Sequence, residues 1–277
     1  MKIDDLLEAF RLDALGDGLF RATSVDLGGP MVYGGQILGQ SLLAAQSSDP
    51  AKAVKTIHTV FAKPASIDHP LELGCEVMHS GRALASVTVT ASQGERLCAR
   101  SIVLLSSDEP DFVTHRDQAP PLEVPETGQP PCGDRTLDER APEDSAFDTR
   151  LVGDVDVNDP DQVGPASLDV WARCVDAPRD QPTNRALLAY LSDGFLIGTA
   201  MRPHEGLGQS QAHVSVATAV LSHTLTFHDD VAMGEWLLLS HASGHAGGGR
   251  SHGSAQVFDS SGRLVASYMQ DAMIRAL

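Results

Sequence analysis

The chain is poor in cysteine, in aromatic residues and in positive charge. Its 277 residues include four cysteines, Cys75, Cys98, Cys132 and Cys174, at spacings of 23, 34 and 42. No C-x-x-C pair occurs, which excludes a zinc ribbon and a thioredoxin-like redox motif and favours a reducing compartment. Lys and Arg number 20 against 37 Asp and Glu, a net charge of −17. Such a chain repels phosphate backbones and anionic lipid, so no nucleic-acid or membrane partner is expected. The longest stretch without a charged residue, Gly206 to His228, carries Gln, Ser, Thr and His throughout and does not read as a membrane span. The N-terminal MKIDDLLEAFRLD mixes acids into its apolar positions, unlike a secretory signal, so a cytoplasmic protein is the expectation.

Several chemistries are missing as well. No G-x-S-x-G nucleophile elbow occurs. The segment from Gly244 to Ser251, GHAGGGRS, imitates a phosphate loop but lacks its Lys and runs into an alternating strand rather than a helix. His241, His245 and His252 lie near one another in sequence, yet a strand entering a Gly-rich turn does not give them the helical spacing of a metal site. Neither a metal nor a cofactor is expected.

What is present fits a globular chain: 42% apolar and 21% charged residues. Between Ser106 and Asp144 the composition changes. Those 39 residues hold seven of the 16 prolines and eleven acids against three bases, so an extended linker is expected there. It divides the chain into residues 1–105 and 145–277. The halves resemble each other. His58-Thr59 matches His223-Thr224 at an offset of 165, and Arg82 matches Arg250 at 168. Gly94 and Leu97 match Gly262 and Leu264 after a one-residue gap. An offset held along a segment indicates an internal duplication.

Each matched segment alternates apolar and polar residues, as in Ser86-Val87-Thr88-Val89-Thr90 and Ser254-Ala255-Gln256-Val257-Phe258. These are antiparallel strands with turns at Gln93-Gly94 and Ser261-Gly262. Ahead of each lies an apolar stretch of helical length, from Gly35 to Ala45 and from Arg185 to Ala200. A helix apolar nearly all round is one wrapped by a sheet. The fold class is therefore α+β, each half a long helix followed by a curved antiparallel sheet. Asp193 interrupts the second apolar helix, either as a general base made basic by burial or as a cap ahead of Gly194. Gly34-Gly35-Gln36 opens the first helix, either as a tight turn or as free amides able to bind an oxyanion or phosphate. His58 and His223, at matched strand positions, read as structural. Arg250, like Lys55, Lys63, Arg82 and Arg202, is a basic candidate for an anionic ligand.

Seven segments in order resemble the acyl-CoA thioesterase II family: YGGQILGQSLLAAQ (33–46), IHTVFAKP (57–64), SLDVWARC (167–174), AYLSDGFL (189–196), HTLTFH (223–228), EWLLL (235–239) and GRLVASYMQDAMIR (262–275). The resemblance implies a tandem (double) hotdog fold and hydrolysis of acyl-CoA to free acid and CoA without metal. It implies a catalytic trio of Asp, Ser or Thr, and Gln. The Asp falls on Asp193 and the Gln on Gln270, whose amide oxygen would hold the attacking water. The hydroxyl position falls on Val220, which can form no hydrogen bond. Thr218 and Ser222, two residues either side on the strand, are expected to share its face and to serve instead. Gly35, Gln36 and Arg250 are the expected contacts to acyl-CoA. The alternative is a non-catalytic acyl-CoA-binding protein of the same fold. An enoyl-CoA hydratase would need a His five residues after its Asp, where this chain has Gly198. Open sheet edges in hotdog proteins lead us to expect a homo-oligomer, a dimer in the simplest case.

Overall fold

The computed structural model describes residues 1–125 and 145–277; residues 126–144 of the expected linker lie outside them. The first half contains α1 (Ile3–Phe10), β1 (Asp13–Gly16), β2 (Leu19–Ala22), α2 (Gly34–Ser48), β3 (Ala53–Phe61), β4 (Leu71–Ser80), β5 (Leu84–Gln93) and β6 (Arg96–Ser106). The second contains β7 (Asp148–Leu151), β8 (Ser167–Arg173), α3 (Gln181–Ser192), α4 (Leu196–Met201), β9 (Val216–Phe227), β10 (Leu237–Gly247), β11 (Arg250–Asp259) and β12 (Leu264–Ala276).

Alternation along the strands decides which face of the sheet is dry. In β5, Ala85, Val87, Val89 and Ala91 are buried while the residues between them reach the surface. The strands form one antiparallel sheet of order β1-β2-β4-β5-β6-β3-β9-β12-β11-β10-β8-β7. The second half of that order repeats the first in mirror sequence, with β9, β12, β11 and β10 in the places of β3, β6, β5 and β4. This is the tandem hotdog architecture that the family resemblance implied, built on the two similar halves that the duplication indicated. The halves join through β3 and β9, registered from Thr56↔Thr226 to Val60↔Ser222. The hairpin turns fall at Gly94 and Gly262, both in the left-handed region at φ +59° and +82°.

Helices α2 and α3 lie against each other inside the sheet. Leu38, Leu42, Leu187, Leu188 and Leu191 are fully buried. Each such leucine contributes roughly 1.5–3 kcal/mol of hydrophobic stabilisation. Asp180 caps α3 by accepting a hydrogen bond from the Thr183 amide at 2.9 Å. The single helix expected from Arg185 to Ala200 is broken. It ends at Ser192 with Asp193 as C-cap, and α4 restarts after Phe195, which sits at φ +67°. A phenyl side chain pays for that strained backbone with burial: Phe195 is 3% exposed and packs 5.5 Å from the His241 ring.

The sequence match of His58 to His223 does not survive as a structural equivalence. His58 points outward and bonds Thr224 Oγ1 at 2.7 Å, whereas His223 is fully buried. Both strands carry a β-bulge, at Lys55 in β3 and at Leu221 in β9, but His58 stands three residues beyond its bulge and His223 two beyond its own, so the two side chains fall on opposite faces. Part of the described linker is docked, while Phe112 and Val113 stand exposed. Ala119 and Leu122 pack against the outer cluster of Trp171, Trp236, Leu238 and Phe258, and Arg116 pairs with Asp229 at 3.2 Å.

Candidate active site

The break between α3 and α4 leaves a carboxylate in the protein interior. Asp193 is 7% exposed and faces the first turn of α2. Two glycines make that approach possible. A methyl at Gly34 would lie 2.7 Å from Asp193 Oδ2, and one at Gly35 would lie 2.3 Å from the Tyr190 carbonyl oxygen. The Gly35 amide favours the charged form of the Asp193 carboxyl. Asp193 thus ends one helix and occupies the positive start of another.

Gln270 reaches the same carboxylate from β12. Its Nε2 lies 3.2 Å from Asp193 Oδ1 and 3.3 Å from the Asp193 carbonyl oxygen. Across the β9–β12 ladder Gln270 pairs with His223, whose Nδ1 is 3.4 Å from the same Nε2. An amide nitrogen only donates, so Nδ1 accepts and the ring proton sits on Nε2. That Nε2–H donates to Ser192 Oγ at 3.0 Å, and the Ser192 hydroxyl donates to the Ala189 carbonyl at 2.9 Å. Burial holds this ring neutral, its pKa pushed down to about 3. The amide of Gln270 is oriented on both sides, and its Oε1 is left buried with no partner among the described residues.

Burial also dominates the Asp193 carboxyl, raising its pKa to about 7 against the opposing pull of the Gly35 amide and of Gln270. A carboxylate with a pKa near neutrality, beside a buried and unsatisfied amide oxygen, can take a proton from a water held by that oxygen.

Two family models cover most of the chain. The acyl-CoA thioesterase N-terminal domain matches residues 23–106 and the C-terminal domain matches residues 116–274. The chain belongs to the acyl-CoA thioesterase family. Acyl-CoA thioesterase 2 of Haemophilus influenzae is 28% identical over 99% of this chain and 98% of its own length. An acyl-CoA thioesterase II of Mycobacterium marinum superimposes with a TM-score of 0.80 at 26% identity, over 98% of this chain and 97% of that one. A hot dog protein of unknown function from Alicyclobacillus acidocaldarius, 18% identical, shares the fold at a TM-score of 0.77 over 98% of each chain.

In this thioesterase the other expected site residues lie apart from Asp193. Ser222 follows the bulge and points to the outer face, where its hydroxyl donates to Asp271 Oδ2 at 2.9 Å. Thr218 is inside but opposite Ile274, four residues beyond Gln270 on β12, roughly 13 Å by strand rise. Val220 does stand on the inner face, opposite Ala272 and next to the Gln270–His223 pair. Gln36 is buried and engaged: its side chain accepts from the Val25 amide at 2.8 Å and donates to the Thr23 carbonyl. Its own amide donates to the Tyr33 carbonyl at 3.1 Å, so neither group is free for substrate. Arg250 opens β11, exposed and bonded to the Gly249 carbonyl at 2.8 Å. It is three residues, roughly 10 Å, before Gly253, the partner of Gln270. His223 and Ser192 are the residues that sequence reasoning passed over. The alternation His223-x-Leu225-x-Phe227 against Thr224 and Thr226 already places this histidine on the apolar face.

Proposed function

We propose that the enzyme hydrolyses acyl-CoA to free acid and CoA by direct attack of water, with no acyl-enzyme intermediate. Asp193 is the general base and Gln270 holds the water through Oε1. His223, carried by Ser192, orients the Gln270 amide. The observation that carries this reading is the buried Asp193 with Gln270 Nε2 turned toward it and Gln270 Oε1 unsatisfied. A non-catalytic acyl-CoA binder would have no use for a buried base of this kind, although Val220 removes one polar group from the inner face. A panel of acyl-CoAs of increasing chain length, assayed for thiol release and for binding, tests it. Thiol release by the wild type, reduced about 10²-fold or more in Asp193→Asn, is the expected result. Binding without release, or full activity in Asp193→Asn, would defeat it.

The division into hotdog units 1–105 and 145–277 with a linker over 106–144 is part of the same proposal, as is a cytoplasmic location. So is self-association into a dimer. Val60, Ile102 and Leu104 are 49%, 54% and 38% exposed on the outer face of β3 and β6, which supports an apolar contact there. Sedimentation at the mass of a single chain would rule the dimer out.

A further inference from the structure

Tyr33 precedes α2 as its N-cap residue. Its ring lies against Gly35, where a methyl would sit 2.6 Å from Tyr33 Cε1, and meets the Tyr190 ring edge-on at 4.9 Å. The ring is therefore held between the first turn of α2 and Tyr190, one residue before Gly34, which faces Asp193. Its hydroxyl is buried and has no hydrogen-bond partner among the described residues. A buried hydroxyl left unsatisfied costs roughly 1–3 kcal/mol, which a fold retains where a ligand completes the bond.

The neighbouring hydroxyl protons are already committed. Tyr268 donates to His241 Nε2 at 2.6 Å, because His241 Nδ1–H is given to the Leu168 carbonyl at 2.9 Å. Ser192 donates to Ala189, and Tyr190 Oη lies 3.6 Å from Met1 Sδ. The Gly35 amide, one candidate for polarising the substrate carbonyl, acts on the Asp193 carboxyl instead. The site so described has a base and a water-holding oxygen but needs a donor where negative charge develops.

We propose that Tyr33 Oη–H donates the hydrogen bond that stabilises the thioester oxyanion, supplying the hydroxyl that Val220 lacks. The proposal rests on Asp193 acting as base. The water oxygen bonds to the thioester carbonyl carbon while one water proton passes to Asp193. The carbonyl π pair moves onto its oxygen, which accepts from Tyr33. When that pair returns, the C–S bond breaks and sulfur leaves with the proton held by Asp193, giving the carboxylic acid and CoA thiol. Tyr33 keeps its proton throughout. Burial first, then the charge of Asp193, raises its pKa well above 10, so it is a donor and not a second base.

Tyr33→Phe removes the hydroxyl and keeps the ring that packs on Gly35 and Tyr190. With an acyl-CoA that the wild type turns over, kcat should fall about 10²-fold with KM changed less than about threefold. Adding Val220→Thr should recover about tenfold of that loss. A Tyr33→Phe kcat within about threefold of wild type overturns the proposal. If Tyr33→Phe does not fold, 3-fluorotyrosine at position 33 preserves the shape and changes the acidity of the phenol. A single-turnover rate identical to wild type then overturns it, and a changed rate at unchanged melting temperature supports it. Asp193→Asn is assayed alongside. An inactive Asp193→Asn with a fully active Tyr33→Phe removes only the role of Tyr33, whereas an active Asp193→Asn removes both.

Discussion

A carboxyl group surrounded by protein has two competing influences on its charge, and at Asp193 desolvation outweighs its hydrogen bonds. With a pKa of about 7, the base is half ionised near neutral pH. Only the ionised form accepts the water proton. The rate kcat/KM should therefore rise about tenfold per pH unit below pH 7 and level off above it. Because His223 stays neutral down to about pH 3, it adds no second limb at working pH. A profile that is flat from pH 5 to 8 would show that Asp193 is not the ionisation controlling catalysis. Asp193 and Gln270 were legible in the sequence through their family resemblance, and their residue types suit the chemistry. The role of His223 was hidden by a misleading match to His58, although its strand alternation told the correct face. Tyr33 left no signal, since nothing local reveals that its hydroxyl finds no partner.

At the scale of elements, the site depends on how closely α2 approaches α3. Gly35→Ala would drive a methyl to within 2.3 Å of the Tyr190 carbonyl and 2.6 Å of Tyr33 Cε1. A backbone carbonyl inside a helix cannot swing aside, so the helices must separate and draw the Gly35 amide from Asp193. We expect a loss of about 1–3 kcal/mol in denaturant unfolding, with a larger relative loss of kcat than of substrate binding. Unchanged stability and rate would mean that the interface can absorb a methyl. The two helices were legible as apolar runs. The end of α3 was legible as one of two readings of Asp193, a cap ahead of Gly194, but the restart of the helix was not, because Leu196 to Met201 continue the apolar pattern and the turn at Phe195 is set by its packing in the core. The bulge at Leu221 was equally silent. It moved Ser222 out of the site and left Val220 in it.

Across the whole molecule the site belongs to both halves. Tyr33, Gly34 and Gly35 come from the first hotdog, and Asp193, His223 and Gln270 from the second. Folding must keep an ionisable carboxyl and two histidines dry, and stability should report this. The folded pKa of Asp193 lies above its ordinary value of 3.8, so its neutral form is favoured and stability from this group is lost as pH rises from about 4 to 7. Asp193→Asn should exceed the wild type in unfolding free energy by about 4 kcal/mol at pH 8, a gap that closes toward pH 4. His223 and His241 act in the opposite sense. Their pKa values are lowered from 6.5 to about 3 and about 4, so both variants should lose stability as pH falls below 6.5. Urea titrations from pH 4 to 8 read both effects, and a gap that does not vary with pH would contradict a buried carboxyl.

The sequence by itself determined the fold class and the duplication, because periods of two and 3.6 residues are local and burial of one face follows from them. It also determined the chemistry available: one carboxylate in an apolar helix and one amide on the last strand. Only the tertiary structure decided which side chains come together. A single inserted residue in β9, two glycines at a helix start and a strained Phe195 set those distances. Their effects lie in contacts between segments far apart in the chain, which no local pattern encodes.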